Sequence, residues 1–249
     1  VMKNNGTRRT GILFKQEDSN LAPTIYLEEF YQKYLKGQQV PDLADSICSI
    51  YQEIRVKKTC DCQNLFDFNH VKEHIVYKLI RRDANEELLE QIPYEPFLDL
   101  AVVYYIQIDN TRFGSAAIQI RNEHLRYWRV EKEEIRCLAE KNTPRIYPVQ
   151  IRQIVRFMYV ATNEQCSLGA AVMRYPDFRE KVRGMIRGDF YILPSSIHEV
   201  ILVPESFGLE PERMQEMVKE INQTGVALEE VLSDSVYYFD GEEIRIVAK

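Results

Sequence analysis

The chain has 249 residues, 45% of them hydrophobic, so it is long enough for one large domain or two modest ones and apolar enough to bury a core. Its formal charge of −6 argues against general affinity for nucleic acid or an anionic membrane surface. No apolar run approaches the ~18 to 20 residues that cross a bilayer, and the first residues lack the apolar centre of a signal peptide. These features lead us to expect a soluble, cytoplasmic protein without a membrane partner.

In chain order, Asn4-Asn5-Gly6 reads as a hairpin turn, because Asn and Gly tolerate the positive φ of tight turns. Its second arm is expected at about Thr10 to Phe14. Because the sequence opens on Val1 and turns extended at once, further residues are expected upstream. Leu27, Phe30, Tyr31, Tyr34 and Leu35 recur at helical spacing until Gly37. A second helix follows from Pro41, with Leu43, Ile47, Ile50, Tyr51 and Ile54 on one face. From Val71 to Ile80 helix and strand signals mix, since Lys72-Glu73-His74 suits a helix and Ile75-Val76-Tyr77 suits a strand.

"FLDLAVVYYIQI" and "GSAAIQI" read as two β runs joined by a turn at Asp109 to Phe113, and Glu131 to Lys141 as the helix after them. Pro144 and Pro148 mark a boundary between lobes. Beyond it come β runs at Phe157 to Ala161 and Gly169 to Arg174, a helix from Pro176 to Arg187, and β runs at Phe190 to Leu193 and Glu199 to Val203. A helix with Met214, Met217, Val218 and Ile221 follows, then a short one at Leu228 to Leu232 and a terminal hairpin turning at Asp240-Gly241. The expected class is α+β, antiparallel sheets with helices packed on them. The two lobes, 1–143 and 144–249, share an order of elements, and one continuous domain is the alternative.

Charge is uneven: 145–187 carries eight basic and three acidic residues, while 189–249 carries thirteen acidic and four basic. Either a charged partner face or mutual neutralisation of the two segments accounts for this, and neutralisation is the plainer reading. The five cysteines, an odd number, are read as reduced thiols.

Cys60, Cys62, His70 and His74 are the residue types that zinc prefers. A single residue between the cysteines is shorter than usual zinc spacing, and Leu65, Phe66 and Phe68 in the gap look like packing residues, so metal is disfavoured. His124, Tyr127 and Trp128 lie beside Arg121, Arg126 and Arg129; stacking of bases is one use, and anchoring a helix or turn is the commoner one. The usual nucleotide, metalloprotease and hydrolase motifs do not occur, and no cofactor is expected.

"PSSIHEVILVP" offers Ser195, Ser196, His198 and Glu199 as catalytic candidates. Two steps of strand separate Ser196 from His198 by ~6.6 Å, and such side chains point in parallel rather than converge. A serine–histidine pair needs ~2.6 to 3.2 Å between hydroxyl and ring, so a carboxylate and further geometry from elsewhere would be required. Ser196 and Glu199 also fit a helix capping box, but the β-branched run that follows meets Pro204 after one turn and favours a strand. The stretch therefore reads as a turn feeding a central, covered strand.

The blocks "KNNG…TGI", "SNLAPTIYLEEFY", "FLDLAVVYY", "NTPRIYP", "GAAVMRYP", "YILPSSIHEVILVP" and "LEEVLSDSVYYF" resemble those of a bacterial family known as domain of unknown function 5688. The resemblance runs through nearly the whole chain and implies an origin in gut Firmicutes and a few dozen residues upstream. A fainter likeness to the YtpQ-like family lies in "VKEHIVYKLI", "PFLDLAVVYYIQID", "EEIRCLAEKN" and "LSDSVYYFDGEEI". Neither family has an established activity, so no site residue carries over.

Three functions are consistent with the sequence. The first is a non-enzymatic cytoplasmic protein that binds another protein, of immunity, adaptor or regulatory type. The second is a hydrolase or small-ligand enzyme sited from Pro194 to Glu199, with His198 as base and Ser195 or Ser196 as nucleophile. The third, disfavoured by the acidic C-terminal region, is a nucleic-acid-associated protein using Arg145 to Arg187.

Overall fold

The computed structural model describes residues 2–14, 24–54, 67–111 and 114–249. The N-terminal turn closes at Asn4–Gly6, with Asn5 and Gly6 at φ 56° and 67°, and bridges Met2 to Arg8. The arm expected to return from it pairs instead with a later segment: β1 (Gly11–Leu13) lies antiparallel to β2 (Thr24–Tyr26). Helices α1 (Glu28–Leu35) and α2 (Val40–Ile54) follow, separated by Gly37 at φ 96°. Phe30, Leu43 and Ile47 join Ile25 of β2 in a small core of their own, against which Phe14 and Tyr51 stack at 4.4 Å.

The mixed signal from Val71 to Ile80 resolves into both structures. A short helix α3 (Phe68–Val71) is started by the Asp67 side chain, which accepts from the Asn69 amide, and one 3-10 turn carries it into strand β3 (Ile75–Arg81). A one-turn helix α4 (Glu86–Leu89) leads to β4 (Tyr94–Phe97). The apolar run read as one strand breaks at Leu98, whose φ is 56°, before β5 (Leu100–Thr111) and β6 (Gly114–Gln119). Strand β5 pairs with β3 along one edge and with β4 and then β6 along the other, all antiparallel.

After a short helix α5 (Asn122–Trp128), helix α6 (Lys132–Ile146) runs through Pro144 in its last turn, where the missing amide costs the helix one backbone bond. Two polar side chains seat α6 on β3. Thr143 donates to Ala139 O and accepts from the Tyr77 amide, while Asn142 donates to Lys72 O and Ile75 O.

A second antiparallel sheet has the order β12-β11-β9-β10-β8-β7. Its strands are β7 (Val149–Val155), β8 (Met158–Asn163), β9 (Phe190–Leu193), β10 (Val200–Pro204), β11 (Val236–Phe239) and β12 (Ile244–Ala248). Helices α7 (Phe178–Met185) and α8 (Pro211–Thr224) complete it, with Met214 and Val218 of α8 buried against the sheet. As expected for "VILV", β10 is an interior strand, between β9 and β8. Together these elements form an α+β fold with antiparallel sheets.

One expected strand is corrected. Gly169–Arg174 is a buried 3-10 turn, because glycine and two alanines let the backbone coil tightly between the sheets. Val172 and Met173 of this turn join Tyr77, Leu79, Val102 and Tyr104 from the first sheet to Phe190, Ile192, Leu202 and Tyr237 from the second. The largest core thus draws on residues from both sides of Pro144. Each such side chain contributes roughly 1.5–3 kcal/mol by leaving water. Among the described residues no helix is long and apolar enough to cross a membrane.

Candidate functional site

Residues 194–199 connect β9 to β10 and lie against the approach to β11. The contact is a short ladder of backbone bonds: Leu232 N–H donates to Ser195 O (3.1 Å), Ser233 N–H to Pro194 O (3.0 Å) and Ile197 N–H to Glu230 O (2.9 Å). Ser196 and Val231 face each other as a β bridge. The Ser196 hydroxyl accepts from the His198 amide at 3.1 Å, an arrangement that holds the turn and leaves the imidazole out.

His198 is fixed from four directions. Its Nδ1 accepts from the Leu168 amide at 3.2 Å, which places the ring proton on Nε2, and Nε2 lies 3.4 Å from a Glu230 carboxylate oxygen. Its carbonyl accepts from the Thr162 hydroxyl at 2.7 Å, and the neighbouring Ile197 carbonyl accepts from Ala170 N. Glu199 sits half-buried at the mouth of β10. The structure therefore gives His198 a carboxylate, and directs both ring nitrogens to groups other than Ser195 and Ser196.

Close by, Asp99 gathers three hydroxyls. Ser233 Oγ (2.7 Å) and Ser235 Oγ (2.8 Å) donate to one carboxylate oxygen, and Tyr237 OH donates to the other. Burial and the Asp99 charge push the Tyr237 phenol well above its ordinary pKa. Arg81 bridges Asp83 and Asp234 at 2.7 and 2.8 Å, and its guanidinium holds the Asp83 carboxyl below the usual carboxylate range. Asn222 donates to Ser233 O and to Asp234 Oδ1, locking the strand's entry to α8. A recess of about 270 Å³ opens between Arg82, Asp99 and Ser235.

The N-terminal turn closes the same region. Asn5 Nδ2 donates to Leu228 O and Val231 O, its amide donates to Asn85 Oδ1, and Arg9 pairs with Glu229 at 2.7 Å. "KNNG", "PSSIHEV" and "LEEVLSDSVYYF" thus converge, and their polar groups are spent largely on one another.

Of the zinc candidates, Cys60 and Cys62 lie outside the described residues. His70 bonds Asp67 at 2.8 Å and His74 is exposed; the change from α to 3-10 winding between them removes the shared helical face. Among the described residues no group of three or more His, Cys, Asp and Glu side chains is placed to hold a metal ion. In the aromatic cluster, His124 accepts from the Arg121 amide and stacks on Trp128, which in turn packs on Phe68. Burial, followed by the Arg121 charge, holds the His124 ring below its ordinary pKa.

The basic and acidic segments meet directly. Arg179 and Arg183 lie over the Phe239 ring and donate to Glu242 O and Gly241 O, and Arg174 pairs with Glu140 and Glu95. Arg174 is neutralised by acids outside the C-terminal acidic segment, Arg179 and Arg183 meet that segment through backbone carbonyls, and among the described residues no ion pair joins 145–187 to 189–249.

With this geometry in place, comparison with known proteins adds one result. A family described as "Family of unknown function (DUF5688)" has a model that matches residues 1–158 and 155–241. The chain belongs to that family. The comparisons do not show the YtpQ-like likeness. No curated protein and no solved structure matches the chain.

Sequence reasoning placed this DUF5688 chain in its family and missed Asp99 and Glu230. A usable signal was present in "SDSVY": Ser233, Ser235 and Tyr237 recur every second residue, so an extended segment aims all three hydroxyls to one side.

Proposed function

We propose that the chain is a non-enzymatic protein-interaction factor of the bacterial cytoplasm, of immunity, adaptor or regulatory type, and that α1 receives a helix of its partner. The observation that supports this is a stripe on α1. Tyr31, Tyr34 and Leu35 are 58, 50 and 60% exposed at i, i+3 and i+4, even though Phe30 beside them is buried. Positions so spaced form one ridge of a helix, the surface that packs into the groove of another. Val40, the first residue of α2, is also exposed, at 62%. The commitment of the 194–199 turn to backbone bonds fits a scaffold better than a reaction centre.

In a pull-down from native lysate at low salt, the wild-type chain is expected to retain a defined partner. A Tyr34→Asp/Leu35→Asp variant should lose at least about tenfold in recovery, as for loss of a central anchor. Both side chains are exposed, so circular dichroism should be unchanged. Equal recovery by the two baits would refute the α1 site, and a doubled mass of the free wild type that the variant lacks would assign the face to a second copy.

A hydrolase reading draws support from Glu230 beside His198, since a carboxylate orients the ring in serine enzymes. An accepting Nδ1 bonded to the Leu168 amide opposes it. A fluorophosphonate probe is accordingly expected to leave Ser195 and Ser196 unlabelled. Labelling that disappears in His198→Ala would establish catalysis.

A further inference from the structure

On the face of the first sheet opposite the main core, one residue departs from an apolar pattern. Val76, Ile80, Ala101, Val103 and Tyr105 are at most 4% exposed, and Lys78 stands among them, paired across the strands with Val103. Its amine lies 5.9 Å over the Tyr105 ring, and among the described residues no carboxylate comes within ion-pair distance of it. Lys78 is half-buried, so its amine is partly stripped of water and is stabilised by an anion brought beside it.

Above Lys78 is a cavity of about 450 Å³, closed by residues 2–4 and by the segment that follows β3. That volume suits a small ligand. Lys3, whose amine also lies 4.2 Å over the Tyr26 ring, and the exposed Arg121 bring two more cations to its wall, and the exposed Glu87 is the one acid among its described lining residues. Arg121 is positioned by donating to Gln91 Oε1 at 2.8 Å. Ile80 and Leu88 supply an apolar wall between the charged groups. Burial, and secondarily the charge of Lys3, holds the Lys78 amine below its ordinary pKa, the direction expected where cations meet without an anion.

We propose that this cavity binds a small organic anion, with its carboxylate or phosphate among Lys78, Lys3 and Arg121 and a short apolar body against Ile80 and Leu88. An anion there would neutralise three neighbouring cations, two of them half-buried, which gives binding its driving force and ties the N-terminal segment to the sheet. This site is separate from the α1 stripe and stands whether or not that stripe binds a partner.

The test is thermal melting and calorimetric titration of the whole chain with butyrate, butyl phosphate, inorganic phosphate and, at matched ionic strength, sodium chloride. Butyrate or butyl phosphate is expected to raise Tm by about 3 °C at ten times its Kd. Whichever of the two acts identifies the head group as carboxylate or phosphate. Lys78→Met should abolish the response, and Arg121→Gln should weaken affinity about tenfold, as for loss of one charge-assisted bond. If Lys78→Met does not fold, Lys3→Met serves in its place with the same expected loss. No response above that of sodium chloride, or an undiminished response in the variants, would overturn the proposal. A response to inorganic phosphate equal to that of butyl phosphate would overturn its apolar part.

Discussion

Asp99→Ala is expected to destabilise the fold by about 3 kcal/mol, because it leaves three hydroxyls without their acceptor. Ser233, Ser235 and Tyr237 are at most 2% exposed, so water entering by the recess beside Asp99 and Ser235 replaces the lost bonds only in part. The penalties of the three do not add in full, since the serines can turn toward neighbouring carbonyls. In thermal unfolding the change corresponds to a fall in Tm of roughly 6–12 °C for a chain of this size. Asp99→Asn keeps one accepting oxygen and should lose about half as much. The effect is large because Asp99 leaves the first sheet at the Leu98 kink and reaches the strand β11 of the second. A loss below about 1 kcal/mol would show that the node is solvated and does not join the sheets.

Gly169→Ala is expected to cost about 3 kcal/mol by a different route, overpacking. A methyl carbon built at Gly169 would lie 2.1 Å from Thr162 Oγ1, 2.5 Å from His198 O and 2.8 Å from Asn163 N. Two of these are backbone atoms, so rotation of a side chain cannot make room. The buried 169–174 turn would have to withdraw from the His198 loop, breaking the Ala170 N–H bond to Ile197 O as it went. Thr162→Ala in the same chain should recover part of the loss and leave the share due to His198 O. Chemical denaturation of the single and double variants measures both quantities, and full recovery would contradict the backbone clash.

Periodicity made the secondary structure largely legible where one face is polar. Met214 and Val218 on α8, the hairpin about Asp240-Gly241 and the covered strand β10 all followed from spacing and turn residues. The signal failed where every neighbour is apolar. At "GAAVMR" an unbroken apolar run is compatible with strand or helix, and only the small side chains hint at a tight turn. In "FLDLAVVYY" the run, read as one strand, concealed both the Leu98 kink and Asp99. Pro148 was read as punctuation, and β7 immediately after it was missed because only its first half alternates before Gln153 to Val155 turn outward together.

The candidate site was legible in part and for a definite reason. His198 and Ser196 are sequence neighbours, so their mutual orientation follows from strand geometry, and they indeed do not pair through the ring. Glu230 and Leu168, which fix that ring, lie about thirty residues away on either side, beyond the reach of any local pattern. The same holds for Lys78, whose surroundings come from the N-terminal segment, α4 and β6. A single lysine in "HIVYKLI" is visible; what it faces is set by tertiary structure.

The central claim, that α1 is a docking face, is tested most directly by placing the photo-crosslinker benzoylphenylalanine at Tyr34 in living cells, with Tyr127, 63% exposed on α5, as the control. The account predicts a discrete adduct of higher mass from position 34, with none from position 127. Free chain alone at position 34, or the same adduct from both positions, would contradict it.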